Sequence, residues 1–261
     1  MKLPLNLLLW RIVIVLTSGA LLTSCISYGP ALLGSEQPVV PLATLDSVPT
    51  VATGGYGTLG WPIGYGLNDG NTLVGAGVYQ SRSLAYHSQN RKRGWSFVYG
   101  AMGYAGRYRV ARDSSSYRYG GGLLHGAARW HLPISERATF VLEPGLSLFY
   151  EDGSYRSFRQ EVRQDSLSFS TDAAQPLSAT LLFSQTLHYR LNAHWSLMGV
   201  YTTGLPTNQF LFRYQFAGAL AVTRDQLTLW ARPAVHLSIY GPLAAADYTL
   251  ATGLSYQLRK Q

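Results

Sequence analysis

The sequence predicts an all-β fold: a transmembrane, antiparallel, up-and-down β-barrel of about ten strands occupying 51–261. Three observations point there. Segment after segment alternates apolar with small or polar residues at period two, and no long stretch repeats apolar residues at helical spacing. The composition is poor in charge (13% Asp, Glu, Lys and Arg) and rich in glycine and tyrosine, with 27 and 18 in 261 residues. Short and long connections alternate between the segments, as they do at the two rims of an outer-membrane barrel.

Residues 1–24 have the layout of an export leader. Lys2 and Arg11 supply positive charge, and 12–16 with 20–22 form an apolar core too short to span a bilayer. Arg11 interrupts the apolar run, which argues against a transmembrane helix. Leu22, Thr23 and Ser24 then lead into Cys25, the single cysteine of the chain, so no internal disulfide can form. A signal peptide that ends by chance in a cysteine is the plain alternative. The order Leu22-Thr23-Ser24-Cys25 resembles the lipobox of bacterial lipoproteins. That resemblance implies cleavage before Cys25, diacylation of its sulfur and acylation of the new amino terminus. Several acyl chains, at roughly 0.8 kcal/mol per CH2, give lasting attachment where one would not. Apart from this covalent diacylglycerol and N-acyl lipid, no cofactor is expected. Removing Lys2 and Arg11 lowers the formal charge from +8 to +6. An exported chain meets no nucleic acid, so the basic excess points to outer-membrane lipid and lipopolysaccharide headgroups as partners.

Residues 25–50, with Pro30, Pro38, Pro41 and Pro49, read as a Pro-rich tether that either hangs below the barrel or enters its mouth as a plug. Strands are expected at 52–63, 72–83, 94–110, 117–132, 137–150, 177–190, 194–203, 209–222, 226–240 and 246–258. The first two are Gly-rich and weakly patterned, which leaves eight strands as the alternative. In 138–150 the even positions Phe140, Leu142, Leu146, Leu148 and Tyr150 are apolar, and Thr139, Glu143, Gly145 and Ser147 lie between them. In 177–189 Leu177, Leu181, Phe183, Leu187 and Tyr189 share a face broken by Gln185. Roughly ten residues per segment suit a tilted strand crossing a bilayer. A soluble sandwich also alternates, but its solvent face carries abundant Lys, Glu and Asp. Here that face is Gly, Ser, Thr and Ala with a few Arg or His, as in a narrow lumen filled by small side chains.

The tightest connections, 133–136, 191–193 and 223–225, alternate with longer ones at 111–116, 151–176, 204–208 and 241–245. Ten strands put both termini on the short-turn side, which is periplasmic in such barrels. There Cys25 would be anchored in the periplasmic leaflet of a bacterial outer membrane. The exception is 84–93, long and basic at Arg91, Lys92 and Arg93.

Cys25, Tyr28, Pro30, Pro41 and Leu42, within "CISYGP" and "VVPLATLDSV", resemble the start of lipidated outer-membrane barrel proteins of Bacteroidota-type bacteria. The barrel pattern extends that likeness over the mature chain. The resemblance implies no enzymatic role.

Arg129, His131, Glu143, His188, Arg213, Arg232 and His236 fall on the lumen face. Buried charges need partners, so Glu143 is expected to pair with one or more of the arginines and fill the bore. A narrow anion path is the alternative. The histidines are too scattered for a metal site. His236-Leu237-Ser238 resembles the His-x-Ser of lipid A 3-O-deacylases. That resemblance implies Ser238 as nucleophile, His236 as its base and an acidic partner such as Glu143. Parity opposes it, because Val235, Leu237 and Ile239 take the lipid side. The Asn that follows the family's Ser is Ile239 here, and no catalytic residue is assigned.

In 151–176, Arg156, Arg159 and Arg163 alternate with Tyr155, Phe158, Glu161 and Asp165. This is expected to be an external loop, either touching phosphates or a partner protein or merely solvated. The expected role is a non-enzymatic, lipid-anchored barrel, a structural or accessory subunit of an envelope assembly for secretion, barrel insertion or nutrient uptake. Its protein partners would be other outer-membrane or periplasmic proteins.

Overall fold

A computed structural model describes residues 27–28, 39, 50–62, 70–84, 94–109, 115–164, 169–170, 176–206, 212–240 and 243–259. In chain order the elements are β1 (Ser27–Tyr28), β2 (Val51–Pro62), β3 (Gly70–Leu84), β4 (Gly94–Arg109), β5 (Ser116–Pro133) and β6 (Ala138–Asp152). Helix α1 (Ser154–Gln164) and β7 (Phe169–Ser170) follow. The remainder is β8 (Leu177–Arg190), β9 (Trp195–Pro206), β10 (Phe212–Arg224), β11 (Leu227–Tyr240) and β12 (Leu243–Arg259). Ten strands close a barrel in the order β2-β3-β4-β5-β6-β8-β9-β10-β11-β12, each antiparallel to its neighbours. Closure runs from Thr249 opposite Pro62 to Arg259 opposite Ala52. β1 and β7 form a separate parallel pair, with Ser27 opposite Phe169 and Tyr28 opposite Ser170. No described helix is long and apolar enough to cross a membrane.

Both weakly patterned strands are present with full ladders, so the barrel has ten strands rather than eight. Two departures from expectation change a connection. β12 starts at Leu243 because Ala244, Ala245 and Ala246 stay in register with Ile239, Ser238 and Leu237, which shortens the expected connection 241–245 to two residues. The connection 153–176 is not all loop, since it carries α1.

The short turns are built by side-chain acceptors. Ser135 Oγ accepts from the Ala138 N–H at 3.0 Å, and Asn192 Oδ1 accepts from the N–H groups of His194 and Trp195, each at 2.9 Å. Asp225, at φ 52°, makes the two-residue turn between β10 and β11, a left-handed position that Asp tolerates. His194 Nδ1 lies 2.7 Å from Asp225 Oδ1 and links two of these turns.

The alternation places the apolar set outward. Val78, Leu124, Leu181, Leu220 and Leu229 are all more than half exposed on the outer wall. Trp95, Tyr189, Trp195 and Tyr256 ring its short-turn end, with Trp95 stacked on Trp130 at 6.0 Å. An apolar band edged by an aromatic girdle is what a bilayer requires of a barrel wall.

The inner wall has two unlike halves. Across β2–β6 it is filled by Tyr56, Tyr79, Tyr104, Tyr119, Met102 and Phe149. Several of these tyrosines face a glycine on the adjacent strand: Tyr56 opposite Gly77, Tyr79 opposite Gly54, Tyr119 opposite Gly106 and Tyr104 opposite Gly121. A Cβ at Gly106 would collide with the Tyr119 ring. The missing side chain lets the ring lie across the strand, and Tyr119 Oη donates to the Thr72 carbonyl one strand further at 2.9 Å. Tyr104 Oη likewise crosses Gly121 to the Tyr150 carbonyl at 2.8 Å. Across β8–β12 the inner wall is mostly small: Thr180, Ser184, Thr202, Ala217, Ala219, Ala234 and Ser255.

Candidate functional site: a filled lumen and two rims

Inside the long-connection mouth, α1 packs against the β4–β6 side of the barrel. Gly153, at φ +119°, turns the chain back from β6, and a Cβ there would meet the Arg118 carbonyl oxygen at 2.6 Å. Ser154 Oγ accepts from the Arg118 N–H at 2.9 Å and fixes the first turn to β5. Tyr155, fully buried, stacks on inward-facing Tyr108 at 4.1 Å, and Phe158 stacks on Tyr117 at 4.3 Å. Arg159 lies on the same face of the helix. Its guanidinium pairs with Glu151 while standing 5.2 Å from the Tyr155 ring, and both charged groups are buried.

The expected external-contact arginines therefore separate. Arg159, expected to reach out towards phosphates or a partner, points into the mouth because Glu151 is there to receive it. Arg156 is half-buried and lies 3.4 Å from exposed Asp152. The side chain of Arg163 lies outside the described residues.

Deeper in the bore, Arg129 Nε donates to Glu143 Oε2 at 2.6 Å between neighbouring β5 and β6. His131 Nε2 and Ser96 Oγ are 2.8 Å apart, both buried. Arg232 is buried on the inner wall of β11, as is Trp230 two residues before it. Of Arg213 and His236 the structure describes the backbone: Arg213 is in register with Ser238, and His236 with Gln215 and Asp247. Glu143 thus has Arg129 as its partner and lies four strands around the barrel from β11. Among the described residues no group of three or more His, Cys, Asp or Glu could hold a metal ion.

The short-turn mouth opens into a cavity of about 670 Å³ lined by His188, Arg190, His194, Arg224, Gln257 and their neighbours. Val39, from the segment read as a tether, sits above this rim inside the bore. It is buried against Met198, Ala219, Ala221, Trp230 and Ala251, and its carbonyl accepts from Ser255 Oγ at 2.9 Å. At this residue the segment enters the barrel rather than hanging below it.

One charged feature escaped the sequence reading. Arg107 and Arg118 are directly opposite each other on β4 and β5, with Arg109 nearby, and all three are exposed on the outer wall at the long-connection rim. Like charges facing across a ladder repel. Their lipid-side parity next to the 110–115 connection was the available signal. It was masked because each interrupts an apolar face only at its end.

The chain matches no known protein family and no curated protein. Among solved structures it is similar to the beta domain of the Bordetella autotransporter BrkA, at 9% identity and TM-score 0.39, over 81% of this chain and 99% of that one. The translocator domain of the autotransporter NalP from Neisseria meningitidis gives 10% identity and TM-score 0.39, over 80% and 88%. The NanC porin gives 10% identity and TM-score 0.33, over 80% and 100%.

Proposed function

We propose that this chain is an occluded outer-membrane barrel: a non-enzymatic, lipid-anchored structural or accessory subunit of a larger envelope assembly. The observation that carries this reading is that the lumen is occupied by the chain itself: tyrosines fill the β2–β6 half, α1 is held over that half by the Arg159–Glu151 pair, and Val39 lies in the other. A barrel whose lumen is taken up by its own chain offers its outer wall and rims to partners instead. In this reading Cys25 carries the lipid, the short-turn rim is periplasmic, and Arg107, Arg109 and Arg118 meet anionic headgroups of the external leaflet.

The test is purification in mild detergent, with native mass and planar-bilayer recordings on the same sample. The expected result is a mass above that of the monomer and no steady conductance. A monomer with stable conductance whose ion selectivity follows Arg129→Gln or Arg232→Gln would replace the reading with a narrow pore. Lipid A hydrolysis abolished by Ser238→Ala would replace it with an esterase.

A further inference from the structure

Three points of the amino-terminal segment are located, and they lie at three heights in the barrel. Thr50 is tied to the short-turn rim: its N–H donates to Ser83 Oγ, and its carbonyl accepts from the Ser83 N–H, both at 2.9 Å. Val39 is inside the bore, 4% exposed, with its carbonyl on Ser255. Ser27–Tyr28 pairs with Phe169–Ser170, in the connection that joins the far ends of β6 and β8 and carries α1. In reverse chain order, Thr50 thus marks one rim, Val39 the lumen, and Ser27–Tyr28 the connection at the other end.

The bore has room on one side for such a passage. The tyrosines crowd the β2–β6 half, whereas the β8–β12 half presents Ala217, Ala219, Thr180 and Thr202, and Val39 lies in that half. The distances also agree. Val39 and Tyr28 are eleven residues apart, a reach of up to about 40 Å for an extended chain. Climbing from Ser255 to the Leu243 end of β12 covers roughly 30 Å for a strand tilted about 40°.

We propose that the mature amino terminus threads the barrel, so that Cys25, two residues before β1, emerges on the cell-exterior side with its acyl chains in the outer leaflet. This rests on the reading above, in which Cys25 is acylated and the short-turn rim is periplasmic. It replaces the expectation of a periplasmic-leaflet anchor, which would hold residue 25 at the Thr50 rim, a barrel's height from the partner of β1. The acyl chains then act as a stop: they are too apolar and bulky to retreat through a bore lined by threonine, serine and paired charges. The lipid fixes the plug, and the barrel displays the lipid.

The test pairs cross-linking with surface access, in chains that keep Cys25. Ser27→Cys with Phe169→Cys, and Val39→Cys with Ser255→Cys, are both expected to cross-link on oxidation. An epitope inserted after Ile26, in a chain otherwise native, is expected to bind antibody on intact cells. Antibody binding only after permeabilisation overturns the threading, as does a cross-link at 39–255 without one at 27–169. Incorporation of an alkynyl fatty acid, compared with Cys25→Ser, separates this proposal from the lipid reading. A surface epitope without incorporated lipid keeps the threading and removes the anchor. Incorporated lipid with an inaccessible epitope keeps the anchor and removes the threading.

Discussion

Arg159 on α1 and Glu151 at the last inward position of β6 form an ion pair inside the mouth of the barrel, both almost fully shielded from water. Neither charge has a reason to be there alone. Taking one partner from a buried pair costs about 3–5 kcal/mol, because the other is left desolvated and unmatched, whereas replacing both with apolar groups is often nearly neutral. Arg159→Met and Glu151→Gln should each undock α1, seen as rapid protease cleavage within 154–164 and as intermittent conductance in planar bilayers. The double variant Glu151→Leu with Arg159→Met should be closer to wild type than either single change. Cleavage equal to wild type in both singles would show that the aromatic stacking alone holds the helix.

Tyr119 lies across Gly106, and two separate contributions hold it there. Tyr119→Phe keeps the ring and loses the bond to the Thr72 carbonyl, which should cost about 0.5–1.5 kcal/mol. Gly106→Ala puts a methyl where the ring lies and should cost about 1–3 kcal/mol by overpacking. The order of the two can be read from the temperature at which the folded band on an unheated gel converts to the unfolded one. An unchanged transition in Gly106→Ala would mean that the ring has another resting place.

The same residues explain what the sequence could and could not tell. Period two exposed the barrel because a wall with lipid on one side and a lumen on the other writes its burial into alternate residues. β6 and β8 were readable almost to their ends for that reason. β2 and β3 looked weak because Gly54 and Gly77 leave no mark in an apolar pattern. Their contribution is the space they leave for Tyr79 and Tyr56 on the neighbouring strand, and pairing register is needed to see it. Helix α1 was hidden by its polarity. Tyr155, Phe158 and Arg159 do sit at helical spacing, but a buried arginine reads as solvent-facing until Glu151 is known to stand opposite. The Arg129–Glu143 contact was foreseeable from parity and the cost of unpaired charge. The β1–β7 pairing was not, since two residues carry no periodicity.

Arg107 and Arg118 repel one another across the ladder unless an anion lies between or above them. In vesicles containing lipopolysaccharide or an anionic phospholipid the barrel should therefore be more stable to heat than in neutral lipid. Arg107→Gln with Arg118→Gln should abolish most of that difference and slightly raise stability in neutral lipid. The double variant isolates headgroup binding, because removing a repulsion cannot itself lower stability in the neutral case. Equal lipid dependence in both proteins would assign the effect to another part of the rim.

Val78 and Leu258 are both about 60% exposed on the outer wall, but at different depths. Val78 is at the middle of β3, and Leu258 is one residue from the short-turn end of β12. A charged side chain costs about 2–4 kcal/mol at the bilayer midplane and about 0–1 near the interface, where it can reach water. Val78→Arg should therefore lower the equilibrium stability of the barrel refolded in vesicles by about 2–4 kcal/mol, and Leu258→Arg by about 1 or less on the same scale. In detergent, where the apolar belt is thinner and more easily deformed, the gap between the two should narrow. The comparison separates a membrane wall from a soluble one, because a water-exposed sandwich would tolerate both changes within about 0.5 kcal/mol. A small and equal effect in vesicles would remove the bilayer from the description of this surface, and with it the topology on which the lipid at Cys25 depends.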